Sequence, residues 1–160
     1  MIFNVSEWSR PMPRGLRVLD VLRLAAVLAV LGFYFAVTAC TPRLQPPLNR
    51  HQPPRLTETH AIMRDGARLP LVRWLPQTQP LAAVVALHGF NDHSGAFDDL
   101  GPALAGAGLA FYAYDQRGFG GAPGRGLWAG APLLGADLAE VVRLVHAAHT
   151  NTPVYALGES

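Results

Sequence analysis

Cysteine is nearly absent from this sequence, and its scarcity limits the kinds of site that the chain can form. The single cysteine among 160 residues, Cys40, excludes a disulfide within the chain. Neither this cysteine nor the six histidines show a spacing typical of zinc ligands. No internal repeat at the periods of solenoid proteins is visible. Half of the residues are apolar, so we expect one domain with a substantial core. We also expect no metal and no cofactor.

Lysine is absent as well, since all thirteen basic residues are arginines. Four of them precede Cys40 against two acids, Glu7 and Asp20, which gives this segment a formal charge of 4 − 2 = +2. The nine arginines after Cys40 are balanced by nine acids. Because the positive charge is confined to the N-terminal segment, the sequence does not predict a nucleic-acid-binding surface.

The first 40 residues have the pattern of a secretory signal. A segment with four arginines is followed by fourteen apolar residues, 24–37, and by small residues. The tetrapeptide VTAC, which ends at Cys40, resembles a bacterial lipobox, whose cysteine is lipidated and becomes the new N-terminus. An uncleaved anchor helix is the alternative, although the apolar run is short for a membrane core that takes about 20 residues to cross. Both interpretations predict a domain outside the cytoplasm, anchored to a membrane in the cell envelope of a bacterium.

Residues 41–57 form a proline-rich segment. Prolines at five positions exclude a helix or a central strand and favour an extended polyproline conformation. We predict a semi-rigid tether between membrane and domain, with a polyproline ligand for a partner as the alternative. The domain then spans residues 58–160.

Three apolar runs and one turn define the strands that we predict in this domain. Asp65-Gly66, between two stretches of alternating character, predicts a β-hairpin. Continuous apolar runs at 81–87 and 109–114 are typical of strands covered on both faces of a parallel sheet. A shorter run at 154–157 predicts one more strand.

Two stretches between these runs have helical periodicity. Phe97, Leu100 and Leu104 recur at helical spacing. In the second stretch five residues form one apolar face: Leu134, Leu138, Val141, Val142 and Val145. Asp137 and Glu140 are expected to lie off that face. Strands alternating with helices predict an α/β fold, with a mostly parallel sheet and helices on both faces.

Three of the predicted strands end in polar or glycine-rich turns. These turns are HGF at 88–90, DQRGFGG at 115–121 and GES at 158–160. Because ligands bind beyond the carboxyl ends of strands in open α/β sheets, we expect the three turns to converge in one site. The last turn has the form G-x-S, the first half of a nucleophile elbow that lifts a serine clear of the sheet.

These segments resemble the α/β-hydrolase family, in particular its monoacylglycerol lipase, lysophospholipase and serine aminopeptidase-like branch. HGFNDHSGAFDDLGPALAGAG resembles the H-G-x-x-x-H turn and first helix of that branch, DQRGFG its D-x-R-G-x-G loop, and ALGES its A-x-G-x-S approach to the nucleophile. The resemblance runs from residue 58 to residue 160. It implies an α/β-hydrolase fold that is truncated after the nucleophile strand.

The resemblance also implies roles for individual residues. Ser160 matches the nucleophile, and Phe90 matches the residue whose backbone N–H forms one half of the oxyanion hole. His88 then supports the oxyanion turn, with a role as base as the alternative. His93 fixes the turn by hydrogen bonds, with substrate contact as the alternative. Asp115 is expected to be a structural anchor for the loop that follows it.

Two features of that loop region receive structural interpretations. Gly118, Gly120 and Gly121 do not follow the order G-x-G-x-x-G, so we do not predict a phosphate-binding loop. Trp128 is expected to pack within the loop, with the lining of an acyl pocket as the alternative.

The function implied by the resemblance is that of a membrane-tethered serine hydrolase. We expect it to act on carboxylic esters of lipid-like or glycerol-linked substrates, with no cofactor and no nucleic acid. The catalytic acid and histidine of this family follow the serine, so we expect the 160-residue chain to be a fragment that is inactive alone. An aminopeptidase or thioesterase of the same fold and a non-catalytic tethered binding module are the alternatives.

Overall fold

The structure of this chain, a computed structural model, describes residues 18–38 and 43–159. The predicted lipidation site, Cys40, and the predicted nucleophile, Ser160, lie outside the described residues. The chain divides into two compact units, Met1–Thr41 and Pro42–Ser160.

The described part of the first unit is one helix, α1, Val18–Thr38. It contains the apolar run predicted from the sequence and begins before it. Asp20 and Arg23 therefore lie one helical turn apart, with Arg23 Nη1 3.8 Å from Asp20 Oδ1. Residues 18–37 have a mean hydropathy of 2.1. The length and composition of α1 would allow it to cross a membrane, and a signal sequence has the same properties.

The second unit is built on a six-stranded sheet. Its strands are β1 (Arg55–Leu56), β2 (His60–Ile62), β3 (Arg68–Trp74), β4 (Ala82–Leu87), β5 (Leu109–Tyr114) and β6 (Val154–Gly158). Their order across the sheet is β1-β2-β3-β5-β4-β6. β2 and β3 form the predicted antiparallel hairpin, in which Gly66 adopts a φ of +89° that glycine tolerates without strain. β4 pairs in parallel with both β5 and β6, and β3 pairs antiparallel with β5.

Helices cover both faces of this sheet, as predicted. α2 (Leu100–Gly106) follows a short 3₁₀ turn (Ser94–Phe97), and α3 (Ala131–Ala148) precedes β6. Alternate residues of β5 point to opposite faces. Phe111 therefore packs with Phe97 on the face of the sheet that α2 covers. Tyr112 packs with Val141 and Val145 of α3 on the opposite face.

The expectation for the polar side of α3 was incomplete. Asp137 and Glu140 lie off the apolar face, but both are buried, at 4% and 6% exposure. The physical reason is that arginines cover them: Arg117 contacts Asp137, and Arg64 contacts Glu140. Charge neutralisation by these partners permits the carboxylates to leave water.

The proline-rich segment lies along the second unit from Arg43 onward. The amide of Gln45 donates to Trp128 O (2.9 Å), and the amide of Trp128 donates to Arg43 O (2.8 Å). Further along, the Leu48 amide donates to Asp65 Oδ2 at 2.9 Å. Part of the segment predicted to be a tether is therefore docked on the domain, because its backbone groups find partners there, and it also includes β1.

Candidate active site

Three strand ends meet at one edge of the sheet, as the sequence predicts. Leu87, the last residue of β4, is the register partner of Tyr114 at the end of β5 and of Gly158 at the end of β6. The amide of Glu159 still donates to Leu87 O, at 3.0 Å. The turn after β4 and the G-x-S turn after β6 therefore begin at the same level. The assignment of Ser160 as the nucleophile, at the next position, remains a prediction.

Phe90 lies in a tight turn immediately after β4. The turn is closed by the Asp92 amide, which donates to Gly89 O at 3.3 Å. Asn91 has a φ of 63° at the third position of this turn, where a type II turn requires a positive φ and asparagine tolerates it. The amide of Phe90 donates to no acceptor among residues 18–38 and 43–159. A free N–H beyond the end of a strand is what an oxyanion hole requires, so the geometry is compatible with the role predicted for Phe90.

The ring of His88 is fully engaged with the backbone. Its Nε2 accepts from the Gln116 amide (3.0 Å), and its Nδ1 lies 2.8 Å from Gly89 O. An amide can only donate and a carbonyl oxygen can only accept, so Nδ1 carries the proton and the ring is neutral. Gln116 Nε2 completes the link by donating to His88 O at 2.8 Å. These hydrogen bonds hold the turn after β4 against the loop after β5. Neither ring nitrogen of His88 is available to act as a base.

His93 closes the other end of the same turn. Its Nδ1 accepts from the Gly95 amide at 2.9 Å and caps the 3₁₀ turn that leads to α2. The Asp92 carboxylate in turn accepts from the His93 amide at 2.8 Å. These hydrogen bonds agree with the structural interpretation of His93.

Asp115 joins two loops of the site. Its Oδ1 accepts from the Ser94 amide and its Oδ2 from the Gly121 amide, both at 2.8 Å. Burial alone would raise the pKa of this carboxyl, but the hydrogen bonds from the Gly121 and Ser94 amides and from the Ser94 side chain together lower it. A side chain at Gly120 would collide with the carboxylate. The prediction that Asp115 anchors its loop is confirmed.

A buried ion cluster behind the loop was not predicted. Arg117, at 1% exposure, donates to Asp137 Oδ2 through Nε and to Asp65 Oδ2 through Nη1, each at 2.6 Å. Its Nη2 adds a second bond to each carboxylate at 2.9 Å. The cluster therefore ties the hairpin turn, the loop after β5 and α3 together. The arginine of D-x-R-G-x-G is a signal for it, but its partners lie far away in sequence.

The loop after β5 forms one wall of a cavity of about 440 Å³ beside Phe90. Phe119, Leu127 and Trp128 supply apolar surface, and Arg43 and Arg125 supply charge. The volume lies within the usual range of small-molecule sites. Trp128 is half-buried in the loop and also lines this cavity, so packing within the loop is compatible with the structure and the lining of an acyl pocket stays a prediction. Within residues 18–38 and 43–159 no group of three metal-ligating side chains occurs.

The fold and the arrangement of these turns define an α/β-hydrolase. A family profile described as serine aminopeptidase, S33, matches residues 78–160, just over half of the chain. The chain belongs to this family.

Several curated proteins are similar to the chain. Monoglyceride lipase of Homo sapiens is 29% identical over 102 residues, which cover 63% of this chain and 34% of the human protein. Monoacylglycerol lipase of Mycolicibacterium smegmatis is 37% identical over 60 residues, 38% of this chain and 21% of that protein. The chain thus spans at most about a third of the length of these relatives.

Solved structures show the same fold. Est1E from Butyrivibrio proteoclasticus, in a structure with bound ferulic acid, superposes with a TM-score of 0.57 at 22% identity, covering 62% of this chain and 41% of that one. A soluble variant of monoglyceride lipase from Saccharomyces cerevisiae superposes with a TM-score of 0.53 at 24% identity, covering 75% and 36%.

Proposed function

We propose that this chain is the N-terminal part of a membrane-tethered serine hydrolase that cleaves carboxylic esters of lipid-like or glycerol-linked substrates. The observation that carries the proposal is the shared register of Leu87 and Gly158. Because of this register, the turn that contains Phe90 and the G-x-S turn begin at the same level of two adjacent parallel strands. The Phe90 amide has no acceptor among the described residues. The similarity to monoglyceride lipases supports the choice of ester substrates.

The reaction follows from the predicted roles. Ser160 Oγ bonds to the ester carbonyl carbon while its proton passes to a histidine base that lies beyond residue 160. The carbonyl oxygen becomes negative and accepts from Phe90 N–H and from the amide of the residue after the serine. Collapse of this intermediate breaks the ester C–O bond, and the alcohol leaves with the proton. Water then attacks the acyl-enzyme, releases the acid and restores the serine.

A fluorophosphonate probe tests the proposal on the full-length protein that contains this chain. We expect labelling and ester hydrolysis, both abolished by Ser160→Ala, because the probe reacts only with an activated serine. The variant Thr78→Ala is the control, since Thr78 is an exposed hydroxyl residue away from the three strand-end turns. A full-length protein that is folded but neither labels nor hydrolyses esters would instead be a binding module.

Tethering is tested separately. If Cys40 is lipidated, the mature protein begins at Cys40 and stays with the membrane fraction, and Cys40→Ser leaves the precursor unprocessed. Several acyl chains hold a protein stably where one does not. Mass spectrometry that finds Met1 intact on the membrane-bound protein would favour the uncleaved helix α1 as the anchor.

A further inference from the structure

Two arginines line the cavity beside Phe90 without a carboxylate partner among the residues that the structure describes. Arg43 and Arg125 both line it, and neither forms an ion pair with any residue in the described ranges. By contrast, Arg117 is neutralised by two carboxylates. The cavity wall contains one acidic residue, Asp92, whose carboxylate already accepts from the His93 amide. The wall of the cavity therefore carries a net positive charge.

Both arginines are attached to fixed backbone. The carbonyl of Arg43 accepts from the Trp128 amide at 2.8 Å, so the docked proline-rich segment brings this arginine to the cavity. Arg125 belongs to the loop after β5, and its Nη1 donates to Gly120 O at 3.4 Å. The two arginines thus line the cavity from two segments that are hydrogen-bonded to the same loop region.

The glycine-rich loop itself has few amides left for an anion. The amide of Gly118 donates to Pro123 O, that of Gly121 to Asp115 Oδ2, and that of Gly126 to Gly118 O. Arg43 and Arg125 are the positively charged donors that line this cavity. A guanidinium group binds phosphate through two parallel N–H donors, and two such groups match the three terminal oxygens of a phosphate monoester.

We propose that Arg43 and Arg125 determine specificity by binding a phosphate group on the alcohol side of the ester, so that the substrate is an acylated glycerol phosphate. This inference rests on the proposed function and deepens it. The hydrocarbon acyl chain carries no charge, so the anion lies on the alcohol. The apolar surface of Phe119, Leu127 and Trp128 in the same cavity suits the amphipathic character of such a molecule.

The test compares two esters that differ only in the phosphate, 1-oleoyl glycerol 3-phosphate and 1-oleoyl glycerol, with the full-length protein. We expect kcat/KM to favour the phosphate ester. Arg43→Gln and Arg125→Gln should each lower the ratio of the two kcat/KM values by about tenfold, the low end of what a charged hydrogen-bond partner contributes. Arg55→Gln is the matched control, because Arg55 is exposed on β1 and does not line the cavity. It should leave the ratio unchanged.

The possible results separate this inference from the function on which it rests. If neither ester is hydrolysed, the proposed function fails and this inference fails with it. If both esters are hydrolysed and neither arginine variant changes the ratio, only the inference is overturned. Inorganic phosphate is added as an inhibitor of 1-oleoyl glycerol hydrolysis. Inhibition by free phosphate without preferred hydrolysis of the phosphate ester would show an anion site that is not a substrate site, which also overturns the inference.

Discussion

The ring of Phe119 packs edge-on against the ring of Phe90, with centroids 5.3 Å apart and planes inclined by 73°. The same ring makes a second edge contact with His88, at 5.7 Å. One side chain from the loop after β5 therefore supports two residues of the turn after β4. Since the Phe90 amide is the predicted oxyanion donor, Phe119 is a positioning residue for it.

Replacing Phe119 by alanine should lower kcat in the full-length protein by about two- to tenfold, because aromatic pairs contribute about 0.5–1.5 kcal/mol beyond area burial. KM should change less, since the donor acts mainly in the transition state. Phe119→Tyr keeps the ring and should restore most of kcat. An alanine variant with the kcat of the parent would show that Phe90 needs no support from this ring.

The buried cluster around Arg117 should dominate the stability of the loop. Arg117→Met leaves Asp65 and Asp137 without their shared partner, and breaking a buried ion pair on one side typically costs about 3–5 kcal/mol. Arg143→Gln is the control, because Arg143 is largely exposed and its hydrogen bonds go to Glu140 and to the Ala139 carbonyl of its own helix. Urea unfolding measures both variants. A loss below about 1 kcal/mol for Arg117→Met would mean that the carboxylates are readily solvated.

Asp115 should make stability depend on pH in the acid range. Burial raises the pKa of its carboxyl, but hydrogen bonds from two amides and the Ser94 side chain together lower it on folding, so the folded state binds this proton more weakly than the unfolded state. Its contribution is therefore complete above about pH 4, the usual pKa of aspartate. That contribution is lost as pH falls through the lower pKa of the folded state.

The matching experiment is urea unfolding of Asp115→Asn across this range. At neutral pH the variant should be less stable by about 2 kcal/mol, because hydrogen bonds to a charged acceptor weaken. The difference from the parent should shrink as the pH falls below about 4. Asp98→Asn, at an exposed position, is the control. A difference for Asp115→Asn that stays constant down to low pH would contradict the lowered pKa.

Docking of the proline-rich segment can be tested by removing one backbone N–H group. Gln45→Pro removes the amide that donates to Trp128 O, whereas Gln45→Ala keeps it. Trypsin should cut after Arg43 about fivefold faster in the proline variant, because the lost hydrogen bond contributes about 1 kcal/mol. Equal cleavage rates in the proline and alanine variants would indicate that the segment is held by side-chain contacts instead.

The sequence predicted the framework of the fold because its signals are local. The apolar runs at 81–87 and 109–114 became β4 and β5, and the Asp65-Gly66 pair became a hairpin turn. Convergence of the strand ends then followed from the parallel topology. Chemical pattern and chain direction were sufficient for these elements.

The remaining features depend on contacts between distant residues. The burial of Asp137 depends on Arg117, twenty residues earlier, and that of Glu140 on Arg64, which is 76 residues away. Proline content indicates an extended backbone but not the surface on which it lies, so the contact between Gln45 and Trp128 could not be predicted. No periodicity or composition signal encodes such pairings.

The ion cluster links the segment that the family profile matches to residues that precede this segment. The family match begins at residue 78, yet Arg117, within the match, shares its charge with Asp65, which precedes it. Cutting the chain at residue 78 would remove this carboxylate together with β1, β2 and β3. The segment that the family profile matches is therefore smaller than the segment needed for a complete domain. A graft of this domain onto another anchor should begin upstream of Arg43, so that the incoming chain still supplies both the strands and the cavity wall.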